Sequence, residues 1–286
     1  MPRNGLSVDV EDWFQVGAFE RVIDKADWDS LSPGVERNTD AVLALFAESG
    51  AKGTFFTLGW VAQRYPALIR RIVAAGHELA SHGWDHQRVF TMTAPEFRAD
   101  LVRARGALED AGGVAISGYR APSFSIDTRT PWAFAELAEA GYRYSSSVAP
   151  LRHDHYGWPE APRYAFRPLA DAALVELPVT VAQIGSRRVA TGGGFFRLLP
   201  AALTDFAVRQ VNAEGQPAVF YFHPWEIDPD QPRVANAPLR SRLRHYSRLG
   251  AMAGKLRGLI ARHDWGRVDA VVDALAPPGA THRMAA

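Results

Sequence analysis

A chain of 286 residues with 47% hydrophobic and 22% charged residues has an ordinary globular composition, long enough for one large α/β domain or two smaller ones. Lysine and arginine number 32 against 31 acidic residues, and a net charge of +1 does not signal nucleic acid or another polyanion as partner. Cysteine is absent, which excludes disulfides and thiolate metal sites and leaves His, Asp and Glu as possible ligands.

The opening Met1-Pro2-Arg3-Asn4-Gly5 lacks the apolar core and cleavage site of a signal peptide, and no apolar run reaches spanning length. The expected location is therefore cytoplasmic. Leu6-Ser7-Val8-Asp9-Val10 reads as a strand and runs into Glu11-Asp12-Trp13-Phe14. Asp9, Glu11 and Asp12 so close to a core repel one another and lose hydration, a cost that a cation would offset. They are either an acidic loop or a metal ligand beside a general base.

Thr39 to Phe46 reads as an amphipathic helix stopped by Gly50, and Gly53 to Leu58 as a second strand. A helix opens at Pro66 and ends at Gly76. His77 to Ser81 is a third strand, followed by His82-Gly83-Trp84-Asp85-His86. Two histidines four apart can aim both imidazoles at one divalent ion. Surface helices also produce such pairs by chance.

A helix over 94–111 has Pro95 in its first turn and Gly112-Gly113 after its end. Gly118-Tyr119-Arg120-Ala121-Pro122-Ser123-Phe124-Ser125 is a short strand ending in arginine and proline, and 132–140 a helix stopped by Gly141. Tyr142 to Val148 returns as strand. This β-α alternation predicts a mostly parallel sheet or barrel, with functional residues at the carboxyl ends of strands. Asp9, His82, His86 and Arg120 all fall there.

Residues 149–168 form a loop rich in proline and aromatics, including His153, His155, Tyr156, Trp158 and Tyr164, a length expected of a segment that covers a site. Leu174 to Val179 is a strand whose Pro178 places it at an edge. Thr191-Gly192-Gly193-Gly194-Phe195-Phe196 lacks the spacing and lysine of a phosphate loop and reads as a glycine turn for close backbone approach. A second covering segment is expected over 190–200. A helix over 200–214 leads to the buried strand Ala218 to Phe222 and to His223-Pro224-Trp225-Glu226. The tail carries many arginines; they could meet an anionic surface, but the near-zero net charge favours a solvated face balanced by acidic residues elsewhere.

Asp9, Glu11 or Asp12, the pair His82 and His86, Arg120 and His223 together supply what hydrolysis of an amide or ester with a metal requires. A carboxylate takes the proton from water, a metal polarises water and carbonyl, an acid protonates the leaving group, and an arginine holds the base. No serine or cysteine nucleophile is needed.

These segments resemble the NodB-homology polysaccharide deacetylases (carbohydrate esterase family 4), and most nearly the subgroup associated with exosortase and PEP-CTERM exopolysaccharide clusters, which carries a C-terminal DUF3473 region. The likeness rests on Ser7 to Val16, His82 to His86, Gly118 to Ser125 and Phe220 to Glu226, with weaker matches at Gly193 to Pro200 and Arg244-His245-Tyr246, all in family order. It implies a distorted (β/α)7 barrel over residues 1–230, a helical extension over 231–286, and removal of N-acetyl groups from an amino-sugar polymer with a divalent metal, Zn2+ first.

By position, Asp9 matches the base, His82 and His86 metal ligands, Arg120 the arginine that orients the base, and His223 the acid. Val10 stands where the best-known first motif has a metal-binding aspartate, which moves the third ligand to Glu11, on the face of Asp9, or to Asp12 across a bulge. Ser145 and Ala149 also depart from the subgroup, and are expected to alter substrate contacts. Trp13, Pro122, Tyr156, Trp158, Phe195 and Trp225 are the candidate sugar contacts, with plain packing as the alternative reading of the aromatics. Rival functions are an amidohydrolase of small cyclic amides or imides and a non-catalytic carbohydrate-binding relative.

Overall fold

The structure is a computed structural model that describes residues 3–153 and 156–275. His155 and the last residues of the expected extension, 276–286, lie outside the described residues.

The strands are β1 (Asn4–Val10), β2 (Thr54–Thr57), β3 (Glu78–Ser81), β4 (Gly118–Tyr119), β5 (Tyr144–Ser145), β6 (Val175–Glu176), β7 (Val181–Ile184), β8 (Arg187–Ala190), β9 (Val219–Phe222) and β10 (Trp265–Gly266). The helices are α1 (Val35–Ser49), α2 (Gly59–Arg64), α3 (Pro66–Ala74), α4 (Ala94–Gly112), α5 (Ala133–Glu139), α6 (Gly193–Leu198), α7 (Ala201–Ala213), α8 (Leu239–Tyr246), α9 (Leu249–Arg262) and α10 (Val268–Leu275).

β1 is buried along its whole length because it is flanked on both sides. β9 pairs with Gly5 to Val8 on one side; on the other, β2 pairs with Ser7 to Val10 and β10 with Asn4 and Gly5. The wall then runs β2-β3-β4-β5-β6, every pair parallel. This is the expected distorted (β/α)7 barrel, with β9-β1-β2-β3-β4-β5-β6 as its seven staves and β10 as a short addition below β2. β6 and β9 are not paired in the sheet. Past β6, the Thr180 N–H donates to the Val219 carbonyl at 3.0 Å, drawing the two edges together. α3 and α4 pack on β3, and α10 on β1.

Local chemistry sets the element ends. Thr93 and Glu96 form a capping box at the start of α4, Pro95 sits in its first turn, and Gly113 closes it in the left-handed conformation. The predicted glycine turn is instead the first turn of α6, and the close approach is real. A Cβ on Gly192 would stand 2.5 Å from the Tyr221 ring. The strand predicted over 142–148 pairs only at Tyr144 and Ser145. The tail folds as α8, α9, β10 and α10, and several of its cations are spent internally. Arg257 pairs with Glu48, Arg262 with Asp205 and Arg267 with Asp269, while Lys255 donates to three carbonyls around the end of α6.

Candidate metal and acid–base site

Parallel strands end together, so the residues just past β1, β3, β4 and β9 share one rim. Glu11, His82 and His86 meet there, each offering a ligand atom within 4.8 Å of the other two. His82 Nδ1 lies 2.8 Å from the Arg120 carbonyl; a carbonyl only accepts, so Nδ1 carries the proton and the Nε2 lone pair is free. Burial pushes the His82 imidazole down to about 4, so it is neutral at pH 7 as a ligand must be. His86 has φ of 62°, a left-handed conformation that costs energy in a residue with a Cβ, and it places Nε2 2.8 Å from Glu11 Oε2.

That short approach lacks hydrogen-bond alignment: Glu11 Oε2 is buried and has no hydrogen-bond partner among the described residues. Burial opposes ionisation of Glu11, but His86, His223 and His82 hold its carboxyl well below the usual carboxylate range. An anionic, unsatisfied oxygen beside two imidazoles fits a divalent cation. Asp12 is turned elsewhere. Its Oδ2 accepts the N–H groups of Gly34 and Val35 at the start of α1, at 2.8 and 3.0 Å, and its Oδ1 that of Trp13 at 2.8 Å. The geometry groups Glu11, not Asp12, with the histidine pair.

Asp9 faces the same space and is held from behind. Arg120, fully buried, donates from Nη1 to Asp9 Oδ1 at 2.7 Å and to Ser7 Oγ at 2.8 Å. Its Nε and Nη2 donate to the Ser146 carbonyl and hydroxyl at 3.0 and 2.9 Å, and its guanidinium lies 4.1 Å from the Phe56 ring centre. The fork is therefore fixed at both ends.

His223, at the end of β9, places Nε2 4.0 Å from Asp9 Oδ2 and 3.7 Å from Glu11 Oε1. Its Nδ1 lies 3.1 Å from Glu226 Oε2. Burial works against its charge, yet Glu11, Glu226 and Asp9 raise His223 to about 9, so it is protonated at neutral pH. Glu226 received no role from sequence reasoning. The available signal is its place three residues after His223, where it also accepts the His223 N–H at 3.1 Å and caps the turn that follows.

The candidate sugar contacts divide. Trp13 is 3% exposed and donates its indole N–H to the Ser32 carbonyl, so its ring is packing. Pro122 is buried beside Gly83. Trp225 lies between His223 and His245, with ring centres at 5.3 and 4.3 Å, and donates its indole N–H to Glu11 Oε1 at 3.1 Å. It serves the site from within and offers no open face. Tyr156, Trp158 and Phe195 are half-buried, and Tyr156 stacks on His153 with ring centres 4.2 Å apart. A cavity of about 480 Å³ opens beside His86, with Glu20, Lys25, Trp28, Asp85 and Arg88 among its walls.

Strand order and the convergence of carboxylates and imidazoles on one rim define a NodB-type (β/α)7 barrel. The polysaccharide deacetylase family model matches residues 27–145, which hold His82, His86 and Arg120, and DUF3473, a domain of unknown function, matches 146–273, which holds His223. The chain is 28% identical to a peptidoglycan deacetylase of Helicobacter pylori over 123 residues, 42% of this chain and 41% of that protein. It is 29% identical to chitin deacetylase 1 of Cryptococcus neoformans over 107 residues, 37% of this chain and 23% of that protein. It thus spans less than half the length of these relatives. A Mycobacterium smegmatis protein assigned as a polysaccharide deacetylase shares the fold over 99% of this chain and 94% of its own, with TM-score 0.60 and 22% identity. Puue allantoinase shares it over 95% and 89%, with TM-score 0.61 and 16% identity. No helix among the described residues is long and apolar enough to cross a membrane.

Proposed function

We propose that the protein is a metal-dependent hydrolase that removes N-acetyl groups from amino sugars of an exopolysaccharide. The observation that carries this reading is the meeting of Glu11, His82 and His86 opposite an arginine-held carboxylate and a protonated histidine. The exopolysaccharide part rests on the resemblance to the exosortase-associated subgroup, whose C-terminal region is of the DUF3473 type matched here. Glu11, His82 and His86 would hold the metal, and two imidazoles with one carboxylate suit Zn2+. When bound, the metal polarises the attacking water and the acetyl carbonyl.

The rest is done by this chain's own groups. Asp9 Oδ2, left free by the Arg120 grip on Oδ1, takes the proton from the attacking water. Arg120 keeps the carboxylate aimed. His223, charged at neutral pH and fixed by Glu226 at Nδ1, gives the Nε2 proton to the departing amine. In this reading the chemistry lies within residues 1–230, and the extension 231–286 supports it.

The test is acetate release from N-acetylglucosamine oligomers by the Zn2+-loaded chain. Asp9→Asn, with metal still bound, is expected to lower kcat by about 10²–10⁴-fold, the range for a lost general base. Wild-type rates in that variant would sink the base assignment. Ring opening of a hydantoin or imide without acetate release would replace the substrate class.

A further inference from the structure

Two stretches take no part in the chemistry above, Gly193 to Pro200 and Arg244-His245-Tyr246, and the fold brings them together behind the site. Arg197, on α6, is buried and donates from Nε to Glu226 Oε1 at 3.1 Å. Its other nitrogens donate to α8, at the Arg244 carbonyl at 2.9 Å and at the Ser247 carbonyl. One guanidinium thus joins the last turn of α8 to the carboxylate that holds His223.

His245 makes the second link. It is buried between Phe19, ring centres 4.5 Å apart, and Trp225, where the rings lie 4.3 Å apart and 11° from parallel. Its Nε2 lies 2.6 Å from Gln231 Oε1, while the Gln231 amide donates to the Trp225 and Asp228 carbonyls at 2.9 Å each. Since the amide nitrogen is the donor there, Oε1 accepts and His245 carries its proton on Nε2. His245 therefore holds Trp225 at its ring face and, through Gln231, at its backbone. Trp225 in turn donates to Glu11 Oε1, leaving Oε2 as the free ligand atom.

We propose that α8 is a brace for the metal and acid groups, in which His245 positions Glu11 through Trp225, and Arg197 positions His223 through Glu226. These are positioning residues. The proposal rests on the metal-hydrolase reading and gives the C-terminal segment a function in it. A carboxylate ligand with one oxygen fixed loses less freedom on binding a cation, and groups that orient ligands in this way are worth about 10–100-fold in metal affinity.

The test is Zn2+ titration of the metal-stripped full chain against a chromophoric chelator, with acetate release measured on the same preparations. His245→Ala is expected to weaken Zn2+ binding about 10–100-fold and lower kcat while KM stays within about twofold. His245→Phe keeps a ring on Trp225 and restores most of the affinity. Trp225→Phe lacks the indole N–H and weakens Zn2+ binding to a similar degree. The double variant His245→Ala/Trp225→Phe loses less than the product of the single effects, because both act along one path. A folded His245→Ala protein with wild-type Zn2+ affinity and kcat, or a fully additive double variant, overturns the proposal. Should His245→Ala not fold, Trp225→Phe decides, and wild-type Zn2+ affinity there overturns it. A wild-type chain that binds Zn2+ but releases no acetate removes the deacetylase reading alone, since the affinities still test the brace.

Discussion

Arg120 is the side chain on which most of the site leans, and Arg120→Met isolates its contribution. The methionine keeps the aliphatic stem and removes the fork, together with its contact on the Phe56 ring. Asp9, 2% exposed, then has no cation at 2.7 Å, and the Ser146 carbonyl and hydroxyl lose their donors. Stranding one partner of a buried pair costs about 3–5 kcal/mol, so a loss of ~4 kcal/mol is expected. Against a typical total of ~5–15 kcal/mol the protein remains folded but much closer to its limit. Urea unfolding followed by tryptophan fluorescence, with EDTA present to remove metal linkage, measures this directly. If the stranded Asp9 charge is the main cause, Arg120→Met costs far less in an Asp9→Asn background, with a coupling of about 2–3 kcal/mol. A loss below ~1 kcal/mol, the scale of an exposed ion pair, or additivity with Asp9→Asn, would refute the reasoning.

Glu11→Gln is expected to abolish high-affinity Zn2+ binding, whereas Asp12→Asn leaves it within a fewfold and costs about 1 kcal/mol of stability through the α1 cap; calorimetric Zn2+ titration separates the two. Burial pushes the Glu176 carboxyl up to about 7 from an unfolded value of 4.5, so the stability it contributes is present below pH 4.5 and is lost as pH rises through 7. Glu176→Gln keeps an oxygen for the Ser147 and Val148 N–H groups, and its urea midpoint relative to wild type should rise from pH 5 to pH 8; an unchanged difference would count against the shift. Gly192→Ala puts a Cβ 2.5 Å from the Tyr221 ring and 2.9 Å from its carbonyl, and should cost about 1–3 kcal/mol by thermal unfolding.

The parts of the fold legible in the sequence are those whose physics is local or repetitive. β1, β2, β3 and β9 are buried on both faces, and their Leu, Val, Phe, Tyr and Ala residues stand between glycines, prolines and charges, so their places follow from the sequence. The strand expected over 142–148 ends at Ser145, because the Ser146 carbonyl and the Ser147 hydroxyl turn to Arg120 and the Ala121 N–H, a use that propensity does not register. The β7–β8 hairpin is not legible in the sequence, because Arg187 and Arg188 break the alternation and only Gly185, which takes a positive φ of 58° in the structure, marks the turn. The residue types and spacing of Asp9, His82, His86, Arg120 and His223 mark a candidate site in the sequence because few chemistries need them together. The choice between Glu11 and Asp12 is not marked there, since it depends on where the α1 N-terminus lies in space.

The aromatic residues show where reading from sequence alone must stop. A tryptophan beside a site is a sugar platform or a wall in equal measure until the partner of its N–H is known, because a buried indole must place that donor somewhere. Trp13 gives it to Ser32 and is a wall; Trp225 gives it to Glu11, and its two faces are taken by His223 and His245. A ring stacked on both faces by the protein has none left for a sugar. The half-buried rings Tyr156, Trp158 and Phe195, in the segments expected to cover the site, keep the platform role as a proposal. Trp225, quoted in the sequence as a substrate contact, acts one step back, on the carboxylate that the metal would use.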